Sequence, residues 1–433
     1  MGWVYKMSQF IVNGNKRLSG NVSVSGSKNS ALPLITSALL FKGPIEISNI
    51  PDMGDVRILI QIMKDIGVKV DKISSDTYRF DSSGEIESDL SKIKGVSNIR
   101  GSQTLLGAIL GRNHEVILPV LGGCHIGARP MDIHFQGMKK LGAAIENKGN
   151  KKYFVAKKLQ GTHVYLDYSS VGATENLILT AMNSEGITII ENAAQEPEVV
   201  DLVYLLNKAG ARISGIGSST LQIIGKSSLR SIKFSVMPDR IETGTFMLCA
   251  AMTKGKIQIE DCCVQDMSSL LFKLRDIGVN VEIQGQSSLL VEMDKRSLSF
   301  NIRTMPFPGF PTDLQSPMLA LACLASGTSM ISETVYENRF NVVPELRKMG
   351  ASIMTNDKIA TVTGIEKMFG AEVQCPDLRG GISLVLAALT AEGQSNIHRA
   401  SVVDRGYQFI EHKLQKLGAS IERVEDENGY IRW

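Results

Sequence analysis

The sequence predicts an α/β protein of six βαβαββ units, arranged as two globular domains of three units each, with buried helices. Three observations predict it. An apolar helical stretch that ends in Gly and is followed by a small or β-branched residue and Val or Ile occurs six times. It reads MKDIGVKV at Gly67, MKKLGAAI at Gly142, LNKAGARI at Gly210, LRDIGVNV at Gly278, LRKMGASI at Gly350 and LQKLGASI at Gly418, at intervals of 68 to 75 residues. Such self-similarity marks one repeated supersecondary unit. Second, the strips LLGAIL, LILTAMNSEG, MLCAAMTKG, LALACLASG and LVLAALTAEG are apolar on most faces, and a helix apolar all round is buried. Third, 433 residues of which 43% are hydrophobic suit two or three domains with substantial cores.

The first unit shows the order of elements. NVSVSG alternates as a strand, and Ser27–Phe41 carries apolar residues at helical spacing until Lys42-Gly43 stops it. Ile45–Ile50 reads as a second strand and Met53–Ile66 as a second helix, with Asp52 as a cap. Gly67 ends that helix, and two short strands follow. The same order runs through the other five copies, with one helix of each unit inside and the sheet and other helix outside.

The division falls between the third and fourth copies. One domain is expected at 22–238, and a discontinuous second at 1–21 plus 239–433, because the N-terminal strand crosses over. Two connections, around Ser19–Lys28 and Val236–Thr243, then run side by side. They suit a hinge, with a ligand cleft between the halves.

A net charge of +3 argues for neither nucleic acid nor membrane. The apolar stretches fall short of the roughly 20 residues that a membrane span needs, and MGWVYKMSQF has no signal-peptide core. Lys6 replaces the Ser or Thr of a myristoylation motif, and Met7 is the expected natural start. Six dilute cysteines without CxxC spacing suggest a reduced, cytoplasmic protein without a zinc site. Cys249 and Cys323 fall in apolar helices as small buried thiols, and vicinal Cys262-Cys263 reads as structural. No GxxxxGK[ST], post-strand GxGxxG, GxSxG or HExxH is present.

Three segments carry chemistry that packing does not require. In SGSKNSALP, a strand end, a Gly turn and Lys28-Asn29 at a helix start bring free N–H groups, the dipole and an ammonium together, as an anion site needs. A solvated lysine is the plain alternative. In LPVLGGCHIGARPMDIH, Cys124 lies in a glycine-rich loop beside His125 and Arg129, where a thiol can act as acid or nucleophile. Its alternative is a surface cysteine without a role. In the second half, Asp313, Arg339, Asp377, Arg379 and Arg405 sit at matching turns. Such arginines read carboxylates and phosphates, or else pair at the surface.

Together SGSKN, GGCHIGARP, SVGATEN, ENAAQEPEVVDL, PDRIETGTF, FPTDLQ, ETVYENRF and DRGY resemble the enolpyruvyl transferase family, from about Phe10 to Val424. Within it the chain is similar to the branch whose acceptor is UDP-N-acetylglucosamine. The resemblance implies an inside-out α/β fold whose two domains close over phosphoenolpyruvate and the sugar nucleotide, with no cofactor or metal, as a bacterial cytoplasmic monomer. It implies a lid at 118–129 whose Cys124 protonates the donor and is alkylated by fosfomycin. Lys28, Arg129 and Arg405 match the donor's phosphate contacts, with Arg100 nearby. Arg339 and Arg379 match its carboxylate contacts, organised by Asp377, and Asp313 matches the base at the sugar 3-hydroxyl. Asn29, Arg129, Pro130, Met131, Asp132, Ile133, Ser169, Ser170, Val171, Gly172 and Val335 match sugar-nucleotide contacts. Tyr168 stands where some members have lysine. A shikimate-type enolpyruvyl transferase lacks the lid cysteine; a non-catalytic sugar-nucleotide-binding paralogue would be expected to lose the costly buried charges.

Overall fold

The recurring glycine is explained by the helix ends. In this computed structural model, which describes residues 4–97, 100–119 and 131–432, all six glycines have φ between +94° and +111°, a region that side chains disfavour. Each closes a helix in the same way. The Gly67 N–H donates to Lys64 O and the Val68 N–H to Met63 O, and the pattern repeats through the Ala419 N–H to Leu414 O. These bonds satisfy carbonyls that the helix leaves open and aim the next residue into a strand.

The apolar helices lie inside. Lys28–Ser37, Thr104–Asn113 and Val171–Ala181 sit at the centre of one half. Arg240–Met252, Gln315–Leu324 and Leu378–Thr390 sit at the centre of the other. Every residue of Arg240–Met252 is buried. The second helix of each unit, such as Gly54–Asp65 or Ser268–Asp276, packs one face only. Two separate hydrophobic cores result. Burial pushes the thiols of Cys249 and Cys323 up to about 12, which suits inert packing.

The sheets depart from six self-contained units. Strand Ser19–Ser23 pairs in parallel with Lys256–Glu260 of the fourth unit, whereas Lys233–Ser235 pairs in parallel with Ile45–Ser48 of the first. The first and fourth units have thus exchanged their opening strands. Val22 and Val24 accordingly pack in the second core, while Ala31 and Val236 pack in the first. The boundary at residue 22 therefore shifts a few residues toward the helix at Lys28. The sixth sheet borrows its fourth strand from the N-terminus: Val4–Asn13 lies between Gln394–His398 and Ser420–Arg432. The second sheet has three strands; Asp89 makes only an isolated bridge to Ile117. Asp52 is not a helix cap: Met53 holds that position, and Asp52 pairs with Arg57 while its N–H donates to Gln408 Oε1 at 3.0 Å.

The two crossings lie against each other. The Ser27 N–H donates to Met237 O at 2.7 Å and the Asp239 N–H to Ser25 O at 2.9 Å. Asp201 anchors them from the helix Pro197–Lys208, its Oδ2 accepting from the Ser30 hydroxyl and from the Met237 N–H at 3.2 Å. Burial raises Asp201 from 3.8 to about 6, although both hydrogen bonds act to lower it. The folded chain therefore takes up this proton before the unfolded chain does. The burden on stability is absent below pH 3.8 and grows to full size as pH rises through 6. Asp201→Asn keeps one oxygen for both donors and removes the charge. By urea unfolding the variant is expected to be more stable than wild type by about 1–3 kcal/mol at pH 7.5 and equal to it near pH 4. An equal gain at both pH values, or none at either, contradicts this account.

Candidate active site

Two carboxylates, one buried and one partly exposed, each hold two cations, and the charge of Lys28 acts on both. Lys28 is the first residue of its helix, after Ser27, whose side chain accepts from the Ser30 N–H at 3.3 Å. Its Nζ lies 3.0 Å from Asp55 Oδ2. Asp55 is in the first turn of Gly54–Asp65, and its other oxygen accepts from Arg405 Nε at 2.9 Å. Arg405 comes from the opposite half, at the end of the turn Ala400–Arg405. Burial acts to raise Asp55, but Lys28 and Arg405 hold its carboxyl below the usual range. The sequence reading missed Asp55. Its signal, an acid in the first turn of a helix, is common.

Asp313 does the same for two arginines of the second half. Arg379 Nη2 donates to its Oδ2 at 2.8 Å, and Arg339 Nη2 donates to its Oδ1. Both arginine side chains are almost fully buried, while that of Asp313 is 23% exposed. The Tyr336 ring lies against Arg339 and the Tyr407 ring against Arg379, at 5.0 and 5.5 Å from centroid to guanidinium carbon. Arg339 Nε and Nη1 and Arg379 Nη1 have no acceptor among the described residues. A buried donor without an acceptor costs about 1–3 kcal/mol, so these three nitrogens favour an anion. Burial acts to raise Asp313, yet Arg379, Arg339 and Lys28 hold it well below the carboxylate range. In this state it is a counter-anion rather than a base. Asp377 caps the helix Leu378–Thr390, accepting the Arg379 and Gly380 N–H groups at 2.9 and 3.0 Å. It thereby fixes where Arg379 starts.

Other expected site residues lie along both walls. Ser170 caps Val171–Ala181 by accepting the Ala173 N–H at 3.3 Å, and Ser169 donates to Ala193 O at 3.3 Å. Gly172 lies against the His134 ring, and Asn29 is partly buried in the Lys28 helix. Met131 and Ile133 pack on the first core, with Asp132 exposed beside them. From the other half, the Val335 N–H donates to Glu333 Oε1 at 2.8 Å. Glu333 is buried and also accepts from Thr312 at 3.0 Å; it is a second organising acid that the sequence reading did not pick out. Tyr168 is 41% exposed. Burial raises its hydroxyl, as do the charges of Glu196 and Glu333 and the nearby Tyr336. Arg100 begins the turn Arg100–Gln103. Cys124, Arg129 and Pro130, with all of the expected lid beyond Leu118 and Pro119, lie outside the described residues.

Comparison with known proteins accords with this geometry. The family model described as EPSP synthase (3-phosphoshikimate 1-carboxyvinyltransferase) matches residues 12–414. A UDP-N-acetylglucosamine 1-carboxyvinyltransferase 1 of Symbiobacterium thermophilum is 43% identical over 96% of this chain and 95% of its own length. A UDP-N-acetylglucosamine 1-carboxyvinyltransferase of Actinobacillus succinogenes is 43% identical over 97% of this chain and all of its own. Among solved structures, the enolpyruvyl transferase NikO from Streptomyces tendae superposes with a TM-score of 0.87 at 25% identity, covering 98% of this chain and 100% of its own. EPSP synthase from Acinetobacter baumannii shares the fold, with a TM-score of 0.73 at 18% identity over 97% of this chain and 100% of its own. With six wrapped units, a cleft of paired cations and relatives matched end to end, the chain belongs to the enolpyruvyl transferase family of EPSP synthase.

Proposed function

We propose that this protein transfers the enolpyruvyl group of phosphoenolpyruvate to the 3-hydroxyl of UDP-N-acetylglucosamine and releases phosphate, the first committed step of peptidoglycan synthesis. One observation carries the donor half of the reading. Arg339 and Arg379 present three buried nitrogens without acceptors among the described residues, in the same cleft as the cation pair Lys28 and Arg405. A donor with a carboxylate at one end and a phosphate at the other fits those two pairs. The acceptor half is supported by the relatives at 43% identity, which are named for UDP-N-acetylglucosamine. The protein acts as a monomer in the bacterial cytoplasm. No helix of the described residues is long and apolar enough to cross a membrane.

The charges set the order of events. Phosphate takes the place of Asp55 between Lys28 and Arg405, with Arg129 and Arg100 assisting, and the donor carboxylate binds the nitrogens of Arg339 and Arg379 that lack acceptors, drawing both arginines away from Asp313. Released from its two cations, Asp313 becomes more basic and accepts the proton of the sugar 3-hydroxyl as that oxygen bonds to C2. Cys124 gives a proton to C3, so C2 becomes tetrahedral. A C3 proton then returns to the Cys124 thiolate as the bond from C2 to the phosphate oxygen breaks, releasing phosphate and leaving the enol ether. Asn29, Met131, Asp132, Ile133, Tyr168 to Gly172 and Val335 hold the sugar nucleotide. Closure excludes the water that would compete for C2.

The decisive assay is phosphate release with both substrates, and with each omitted in turn. Release that requires both is expected; binding of the sugar nucleotide without release would sink the enzyme reading, and release only with a shikimate acceptor would redirect it. Arg379→Lys loses the planar two-point contact. It is expected to raise KM for phosphoenolpyruvate by about 10–100-fold with KM for the sugar nucleotide little changed. Wild type is expected to take a fosfomycin mass adduct, and Cys124→Ser is expected to abolish it. An adduct on the serine variant, or one mapped to Cys262, contradicts the assignment.

A further inference from the structure

A single carboxylate closes the N-termini of two helices that belong to different cores. Asp239, 3% exposed, lies in the second crossing. Its Oδ1 accepts the Ile241 and Glu242 N–H groups at 2.8 and 3.0 Å, capping Arg240–Met252. Its Oδ2 accepts the Lys28 N–H at 3.4 Å, at the start of Lys28–Ser37. The local cap Ser27 serves the Ser30 N–H and leaves the Lys28 N–H to Asp239. Both positive helix ends thus face the same acid. Asp239 also feels the charge of Arg379 of the second half.

We propose that Asp239 is a positioning residue, whose carboxylate ties the backbone of Lys28 to the first helix of the second half and so sets the Lys28 ammonium against Arg405. The consequence rests on the donor site proposed above; the tether itself does not. It explains why the acid needs two oxygens. Asparagine can keep the Ile241 and Glu242 bonds with its one oxygen, but it then turns an amide N–H toward the Lys28 N–H, donor against donor.

The test compares Asp239→Asn with Ser27→Ala, which removes the local cap and leaves Asp239 in place. Two readouts are taken: amide exchange at Lys28 and at Ile241–Glu242 in the unliganded protein, and KM for each substrate in the phosphate-release assay. Asp239→Asn is expected to speed exchange at Lys28 about tenfold while Ile241 and Glu242 stay protected. It is expected to raise KM for phosphoenolpyruvate about tenfold, with KM for the sugar nucleotide within about twofold. Ser27→Ala is expected to leave both KM values within about twofold. Unchanged exchange at Lys28, an equal rise in both KM values, or the same rise from Ser27→Ala overturns the proposal. If wild type releases no phosphate, the proposed function falls, and exchange at Lys28 alone decides the tether.

Discussion

A buried cation must be neutralised, and that requirement shapes this protein more than any other. Lys28, Arg339 and Arg379 are almost wholly withdrawn from water. Removing one partner from a buried ion pair costs about 3–5 kcal/mol, so a site built to bind an anion needs resident anions while it is empty. Asp55 and Asp313 fill that role. The geometry a substrate will meet is therefore held before it arrives, and binding becomes an exchange of one anion for another. Such an exchange spares the cations any desolvation at the moment of binding, which favours charge stabilisation in the reaction.

The same pairs connect the halves. Asp55 and Arg405 are 350 residues apart in sequence and come from different cores. Glu198 and Arg240 make a second buried pair, 3.0 Å apart, next to the crossing. A charge contact at the phosphate end is thus also a domain contact, and phosphate exchanging with Asp55 acts on both at once.

Much of this was legible in the sequence, for identifiable reasons. The helix-ending Gly is a local necessity and repeats because the local geometry repeats. Lys28, Arg339, Arg379, Arg405 and Asp313 stand out because strongly polar residues interrupt apolar repeats, and the structure brings them to one cleft. Asp55 did not stand out, since its meaning depends on a partner hundreds of residues away. The neighbouring Asp52 looked like the better cap, yet it bonds Arg57 instead. The crossing of the N-terminal chain into the second half was expected, but which strands the first and fourth units exchange was not legible, for a similar reason. Ser19–Ser23 alternates equally well beside either partner, and only the three-dimensional path of the two crossings decides between them.

That exchange also bears on how the chain leaves the ribosome. The first half cannot complete its opening sheet until Lys233–Ser235 has emerged, by which point nearly all of its residues are available. The second half is held back longer. Strand Val4–Asn13 is made well before both of its neighbours, Gln394–His398 and Ser420–Arg432. Domains generally fold as units during synthesis, so the first half has the opportunity to settle while the leading strand still waits with two open edges. Until those neighbours emerge, the strand presents two unpaired edges, the kind of surface on which strands of other chains can pair.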